Sequence, residues 1–107
     1  MRWYKRLYLG PNAACNIEKI RRKAEEGRRQ PGVYYLTLAS TPGNLLDILH
    51  DIMLAQPLFA EVQRLDIVGV AIGQQEAYRL AERIVFELYQ ETGGFDPASY
   101  FQEDDFC

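Results

Sequence analysis

The chain has 107 residues, with 12 Lys and Arg against 15 Asp and Glu and a formal net charge of -3. At 48% hydrophobic and 25% charged residues, its composition is that of one ordinary globular domain and excludes wholesale disorder. The longest apolar run, Ile67 to Ile72, falls far short of the roughly 20 residues a membrane-spanning helix needs, and the basic opening Met1 to Arg6 has no apolar stretch behind it, so no secretory signal is expected.

Trp3 to Leu9 alternates, with Trp3, Lys5, Leu7 and Leu9 on one side and Tyr4, Arg6 and Tyr8 on the other, which predicts a strand. Gly10-Pro11-Asn12 ends it. Ala13, Ile17, Ile20 and Ala24 then fall at helical spacing and predict a helix over residues 13–27 with a narrow apolar stripe, stopped at Gly27. Val33 to Ser40 is uncharged and rich in β-branched and aromatic residues, a strand covered on both faces. Thr41 before Pro42 reads as a helix cap, with Asn44 competing for the role. The helix they would open has a core face of Leu45, Ile48, Leu49, Ile52 and Met53, turns Asp47, His50 and Asp51 outward, and stops at Pro57. A short helix is expected within Leu58 to Arg64. Leu65 to Ile72 has no polar side chain after Asp66, the mark of a strand buried on both faces, and Gly69 and Ala71 in it predict the close approach of a helix. The longest helix is expected over about residues 74–91, on a core stripe of Ala77, Leu80, Ala81, Ile84, Val85 and Leu88, with Glu76–Arg79, Arg79–Glu82 and Arg83–Glu87 as ion pairs on its wet face. Asp96 can start one helical turn, and the last residues, Gln102 to Cys107, look loose and acidic.

Strands alternating with helices predict an α/β domain of βαβαβα order: a small three-stranded, mainly parallel sheet with helices packed on it. The third strand belongs in the middle. The first, with Lys5 and Arg6, belongs at an edge, where charge opposes edge-to-edge pairing. Residues 1–95 make the domain and residues 96–107 an acidic, aromatic C-terminal tail.

In a parallel sheet the loops at the strand carboxyl ends lead into helix N-termini, where free N–H groups can hold an anion. The candidate ligand residues are therefore Gly10 and Asn12; Ser40, Thr41, Gly43 and Asn44; and Gly73, Gln74 and Gln75. No phosphate-binding glycine motif accompanies them. The charge is split: nine basic and three acidic residues in 1–30, a balance of +6, against three basic and twelve acidic in 31–107, a balance of -9. Lys19, Arg22, Lys23, Arg28 and Arg29 form a candidate partner-binding patch for an acidic protein. Nucleic acid fits poorly, since the acidic remainder repels a polyanion and alternating strand aromatics such as Trp3, Tyr4 and Tyr8 belong in a core rather than against bases.

No catalytic set is visible. Cys15 stands near a helix start, but the only histidine, His50, is read onto a different helix. Asp47 and His50 share a face without the further ligands a metal needs, and the two cysteines, Cys15 and Cys107, have no neighbours with zinc spacing. No metal or cofactor is assigned, and free thiols suggest a reducing compartment.

The opening Met1 to Tyr8, the segments Asn44 to Ile48 and Gly69 to Ala77, and the ending Thr92-Gly93-Gly94-Phe95-Asp96 are similar to small uncharacterised proteins of anaerobic gut Firmicutes. The resemblance implies a bacterial, cytoplasmic origin and no chemistry. The expected function is a small non-enzymatic interaction or regulatory module that self-associates, through the aromatic tail Phe95 to Phe101 or the first strand. The alternative is a binder of a small anionic ligand, a nucleotide or phosphate, at the strand-to-helix loops.

Overall fold

The structure, a computed structural model, describes residues 1–39, 45–55 and 65–107. The elements in chain order are β1 (Arg2–Leu9), α1 (Pro11–Ala14), α2 (Ile17–Glu25), β2 (Val33–Leu38), β3 (Leu46–His50), β4 (Asp66–Ile72) and α3 (Gln74–Thr92). Short 3₁₀ turns cover Asp51–Ala55, Pro97–Ser99 and Glu103–Asp105.

The class is α/β, but the sheet differs from the expected one. It has four strands in the order β1-β4-β2-β3. Only β1 and β4 are parallel; β2 runs antiparallel to both β4 and β3. Two causes lie in the chain. The helix expected over residues 13–27 breaks at Cys15 and Asn16, leaving α2 with nine residues. Such a helix spans roughly 13 Å, against roughly 26 Å for an eight-residue strand, so α2 does not carry the chain the length of the sheet. Gly32 therefore starts β2 beside the end of β4, where its carbonyl accepts the Gly73 N–H at 2.8 Å. The second cause is Leu46-Asp47-Ile48-Leu49-His50, expected to be helical and found as β3. A short apolar run fits either period, and five consecutive residues of this one pair with β2, Leu38 to Tyr34 against Leu46 to His50. The Thr41-Pro42 and Asn44 caps and the short helix within 58–64 fall outside the described residues.

β4 lies in the middle and β1 at an edge, as expected. The two faces of β4 are covered by different helices. Ile67 and Val70 join Trp3, Ala13, Ile20, Ala24, Val33 and Tyr35 beneath α1 and α2. Val68 and Ala71 join Tyr4, Tyr8, Leu36, Ala77, Leu80 and Ile84 beneath α3. A β-bulge sits at Val68, where the register with β2 shifts between Leu36 and Thr37. Gly69 follows it, and a Cβ there would stand 3.1 Å from Leu80 Cδ2 and 3.3 Å from Ile84 Cδ1, the close helix approach that Gly69 predicts.

The C-terminal residues are not a loose tail. Phe101 and Phe106 are buried against Tyr4, with ring centroids 4.9 and 5.7 Å away. Trp3 and Cys107 exchange two backbone hydrogen bonds, each 3.0 Å, which closes the outer edge of β1 at that point. The turn at Asp96 forms as expected, its carboxylate accepting the Ala98 N–H at 3.1 Å. Asp51, expected to face water, is fully buried. Its carboxylate accepts the Gln30 N–H at 2.8 Å and the Tyr35 hydroxyl at 2.5 Å, and the Arg29 Nε lies 3.7 Å away.

Three phenols are held protonated to unusually high pH. Tyr35 is raised by burial and then by its hydrogen bond to Asp51. Tyr8 is raised by burial and then by hydrogen bonds to Tyr100 and Glu87. Tyr4 is raised by burial, against the opposing pull of Arg6. In the unfolded chain these groups ionise near pH 10 (approximately the free value). The folded chain thus binds more protons above that pH, and the stability they contribute is complete below about pH 10 and falls as pH rises beyond it. The urea midpoint should drop between pH 8 and pH 11, with a smaller drop in Tyr35→Phe; a midpoint that does not move would refute this. Separately, Gly69→Ala should cost about 1–3 kcal/mol by overpacking, read from the same urea curves.

Candidate functional site

β1 and β4 are parallel neighbours, and the helices that follow them go to opposite faces of the sheet. α1 and α2 pack on one side, α3 on the other. Where two adjacent strands send their chains apart in this way, a crevice opens outside their carboxyl ends, the usual ligand position of open α/β sheets. The crevice is present, with a volume of about 560 Å³. Leu9, Ile72 and Leu80 give it an apolar floor; Gly10, Pro11 and Asn12 form one wall, and Gly73, Gln74, Gln75 and Glu76 the other, with Arg79 and Arg83 at the rim.

Five of the expected ligand residues, Gly10, Asn12, Gly73, Gln74 and Gln75, thus meet in one place. The other four, Ser40, Thr41, Gly43 and Asn44, lie outside the described residues. The strand before them, β2, runs antiparallel to β4, so its end at Leu38 points away from this crevice.

A residue not expected here dominates the site. Glu76, read from its spacing as a partner of Arg79, instead turns into the crevice. Its Oε1 accepts the Asn12 N–H at 3.2 Å and the Asn12 Nδ2–H at 2.9 Å, and its Oε2 accepts the Ile72 N–H at 2.8 Å. The carboxylate so ties the β1 exit to the β4 exit across the opening. It stands where a bound anion would meet the start of α3, and the carboxylate complements the positive end of that helix. Gly10 lies directly beneath it: a Cβ at Gly10 would be 2.3 Å from Glu76 Oε2. A glutamate three positions into a helix is a known reach-back signal; only the fold reveals that it also reaches Asn12 of α1.

A second surface is apolar. The outer side of α3 exposes Tyr78 (52%), Phe86 (63%) and Tyr89 (49%), and Phe95 (55%) stacks on Tyr89 with centroids 5.1 Å apart. Ala81, Val85, Phe86, Tyr89 and Phe95 line a shallow groove there, with Glu82 its one charged member. Tyr78, Phe86 and Tyr89 lie off the stripe of Ala77, Leu80, Ile84 and Leu88 that packs on the sheet. Of the segment Phe95 to Phe101, Phe95 is on this surface and Phe101 is in the core.

The expected basic patch is only partly assembled. Lys19 and Arg22 are exposed on α2 and Lys23 is half-buried. Arg28 pairs with Glu26 at 3.3 Å. Arg29 is turned inward, donating to the Asp51 carbonyl at 3.0 Å. Trp3, Tyr4 and Tyr8 are buried; Trp3 donates to Glu25 at 3.1 Å and lies under Arg21, so these rings are not free to stack on bases. His50 is on β3 rather than mid-helix. It stacks on Tyr34 at 4.5 Å, and its Nε2 accepts the Gly32 N–H at 2.8 Å, a structural role. Cys15 is exposed, with its Sγ 3.6 Å from the Pro11 carbonyl. Among the described residues no group of three or more His, Cys, Asp or Glu is placed to hold a metal, and no helix is long and apolar enough to cross a membrane.

Compared with known proteins, the chain matches no family model, no curated protein and no solved structure.

Gly10→Ala should push the Glu76 carboxylate out of place and forfeit its three hydrogen bonds, at a cost of about 1.5–3 kcal/mol. In a Glu76→Ala background the same change should cost much less, because there is no longer a carboxylate to displace. Equal costs in the two backgrounds, measured by urea unfolding, would break the link between these residues.

Proposed function

We propose that this chain is a small non-enzymatic interaction module of the bacterial cytoplasm, and that it self-associates through the outer face of α3. The observation that carries the reading is the row of Tyr78, Phe86, Tyr89 and Phe95, four large rings about half exposed on one side of the longest helix. Singly exposed apolar residues are ordinary, but a contiguous aromatic patch marks a contact surface. Four rings in this state present on the order of 400 Å².

A second copy of the chain is the occupant that this surface fits. The groove in this face is lined by apolar residues with Glu82 its one charged member. Such a nearly uncharged face suits a second copy of itself, as the two-fold contact of a homodimer requires, rather than a strongly charged partner. Its area falls below the roughly 800 Å² per partner of a standard interface. The expected dimer is therefore weak, with a dissociation constant in the micromolar range rather than the nanomolar. The exposed Lys19 and Arg22 on α2 support an acidic protein as a further partner. The reading as a binder of phosphate or nucleotide at the strand-to-helix loops stands second, because Glu76 already fills the position that an anion would take.

Light scattering across protein concentrations tests the leading reading. The mass should rise from 12.3 kDa toward twice that value between about 10 and 500 μM, the range set by micromolar affinity. Phe86→Glu should remain monomeric throughout while keeping the far-UV circular dichroism of the wild type, since its ring is outside the core. A wild-type chain that stays at 12.3 kDa over the whole range would overturn the proposal.

A further inference from the structure

The crevice at the ends of β1 and β4 holds two opposite charges that the fold does not use against each other. Glu76 receives its three hydrogen bonds from backbone and amide N–H groups, none of which carries a charge. Its Oε2 has one donor and room for another. Arg79, one turn further along α3, lines the same opening and has no ion-pair partner among the described residues. Arg83 beside it is shared with Glu87 at 3.0 Å and with the ring of Tyr8. Leu9, Pro11, Ile72 and Leu80 line the same opening.

We infer that this crevice binds a small apolar zwitterion, an amino acid or a short peptide, whose ammonium group meets Glu76, whose carboxylate meets Arg79, and whose side chain lies on the apolar floor. The charges select this class. A free anion would be drawn by Arg79 but repelled by the fixed Glu76 carboxylate, and a simple cation would meet the reverse. Only a ligand with both charges satisfies the two groups together. A volume of about 560 Å³ sits within the usual range for small-molecule sites, roughly 300–1,000 Å³, and leaves room for a dipeptide as well as a free amino acid. The end of a helix is not what recommends the site, since the start of α3 is already served by Glu76.

Nuclear magnetic resonance titration of the intact chain tests this with five probes: leucine, leucyl-leucine, 4-methylpentanoate, 3-methylbutylamine and inorganic phosphate. Leucine or leucyl-leucine should give saturable shifts at the amides of Gly10, Asn12, Gly73, Gln75 and Glu76, and whichever binds more tightly identifies the source. The acid that lacks the ammonium group and the amine that lacks the carboxylate should each bind at least tenfold more weakly. Arg79→Ala, an exposed position whose loss leaves the fold intact, should weaken the zwitterion at least tenfold and leave the amine unchanged. Glu76→Gln should bring the zwitterion down to the level of the acid. Absence of saturation by both zwitterions up to about 10 mM, near the weak limit of the affinity scale, would overturn the inference. So would phosphate binding as tightly as the zwitterions, or an unchanged affinity in Arg79→Ala.

Discussion

A strand with two buried faces must be covered twice, and most of this architecture follows from that requirement on β4. Ile67 and Val70 need cover on one side, Val68 and Ala71 on the other. One helix serves one face only. The chain therefore sends α1 and α2 to one side of the sheet and α3 to the other. Because α1 follows β1 and α3 follows β4, and these two strands are parallel neighbours, the two exits diverge. The crevice at their carboxyl ends is the geometric residue of that divergence. Core packing and the candidate site thus have one cause.

Two carboxylates hold the parts that burial alone would leave loose. Asp51, enclosed completely, joins the loop before β2 to the end of β3 through Gln30, Tyr35 and Arg29. A buried carboxylate is tolerated only when it is hydrogen-bonded or paired, and here it has both kinds of partner. Glu76 does the same work at the crevice, half-exposed and bonded to N–H groups alone. The difference in partners separates their roles. Asp51 has a guanidinium within reach and is closed to solvent, so it is structural. Glu76 has no charged partner among the described residues and stands at an open cavity that Arg79 also lines.

The outer face of α3 shows how a helix can be read correctly and still conceal its surface. Its span, Gln74–Thr92, agrees with the sequence pattern, and so do Ala77, Leu80, Ile84 and Leu88 of the expected core stripe, while Ala81 and Val85, expected in the same stripe, line the outer groove. The aromatic residues off that stripe stay about half exposed: Tyr89 stacks on Phe95, the Tyr78 hydroxyl accepts from Gln74 Nε2, and neither contact buries their outer faces. Phe86, Tyr89 and Phe95 would gain from a second apolar surface, which is the physical argument for association. The Glu87–Tyr8–Tyr100 hydrogen bonds, centred on the Tyr8 hydroxyl and 2.9 Å each, fasten the opposite flank of the helix to β1 and the C-terminal segment, so that the exposed face is presented on a rigid support.

The sequence alone determined the elements whose pattern is long or unambiguous: the edge strand with Lys5 and Arg6, the central strand Asp66–Ile72, the helix from Gln74, and the glycine at 69 that admits that helix. Each rests on a local rule, periodicity or the lack of a side chain, that needs no knowledge of distant residues. Gly10, Asn12, Gly73, Gln74 and Gln75 were legible as candidates for the same reason, since turns at strand ends declare themselves locally. The tertiary structure decided what depends on an available partner. Leu46 to His50 became a strand because β2 offered an edge to pair with. Asp51 went inside because Tyr35, Gln30 and Arg29 were there to receive it. The last residues became part of the core because Tyr4 and Trp3 gave them rings and hydrogen bonds. Glu76 left its helix-spaced arginine because Asn12, remote in sequence, and Ile72, just before the helix, together brought it three N–H donors. A short polar or amphipathic segment has nearly equal local energies in several conformations, so a few long-range hydrogen bonds suffice to choose among them, and these are set by the fold rather than by neighbouring residues.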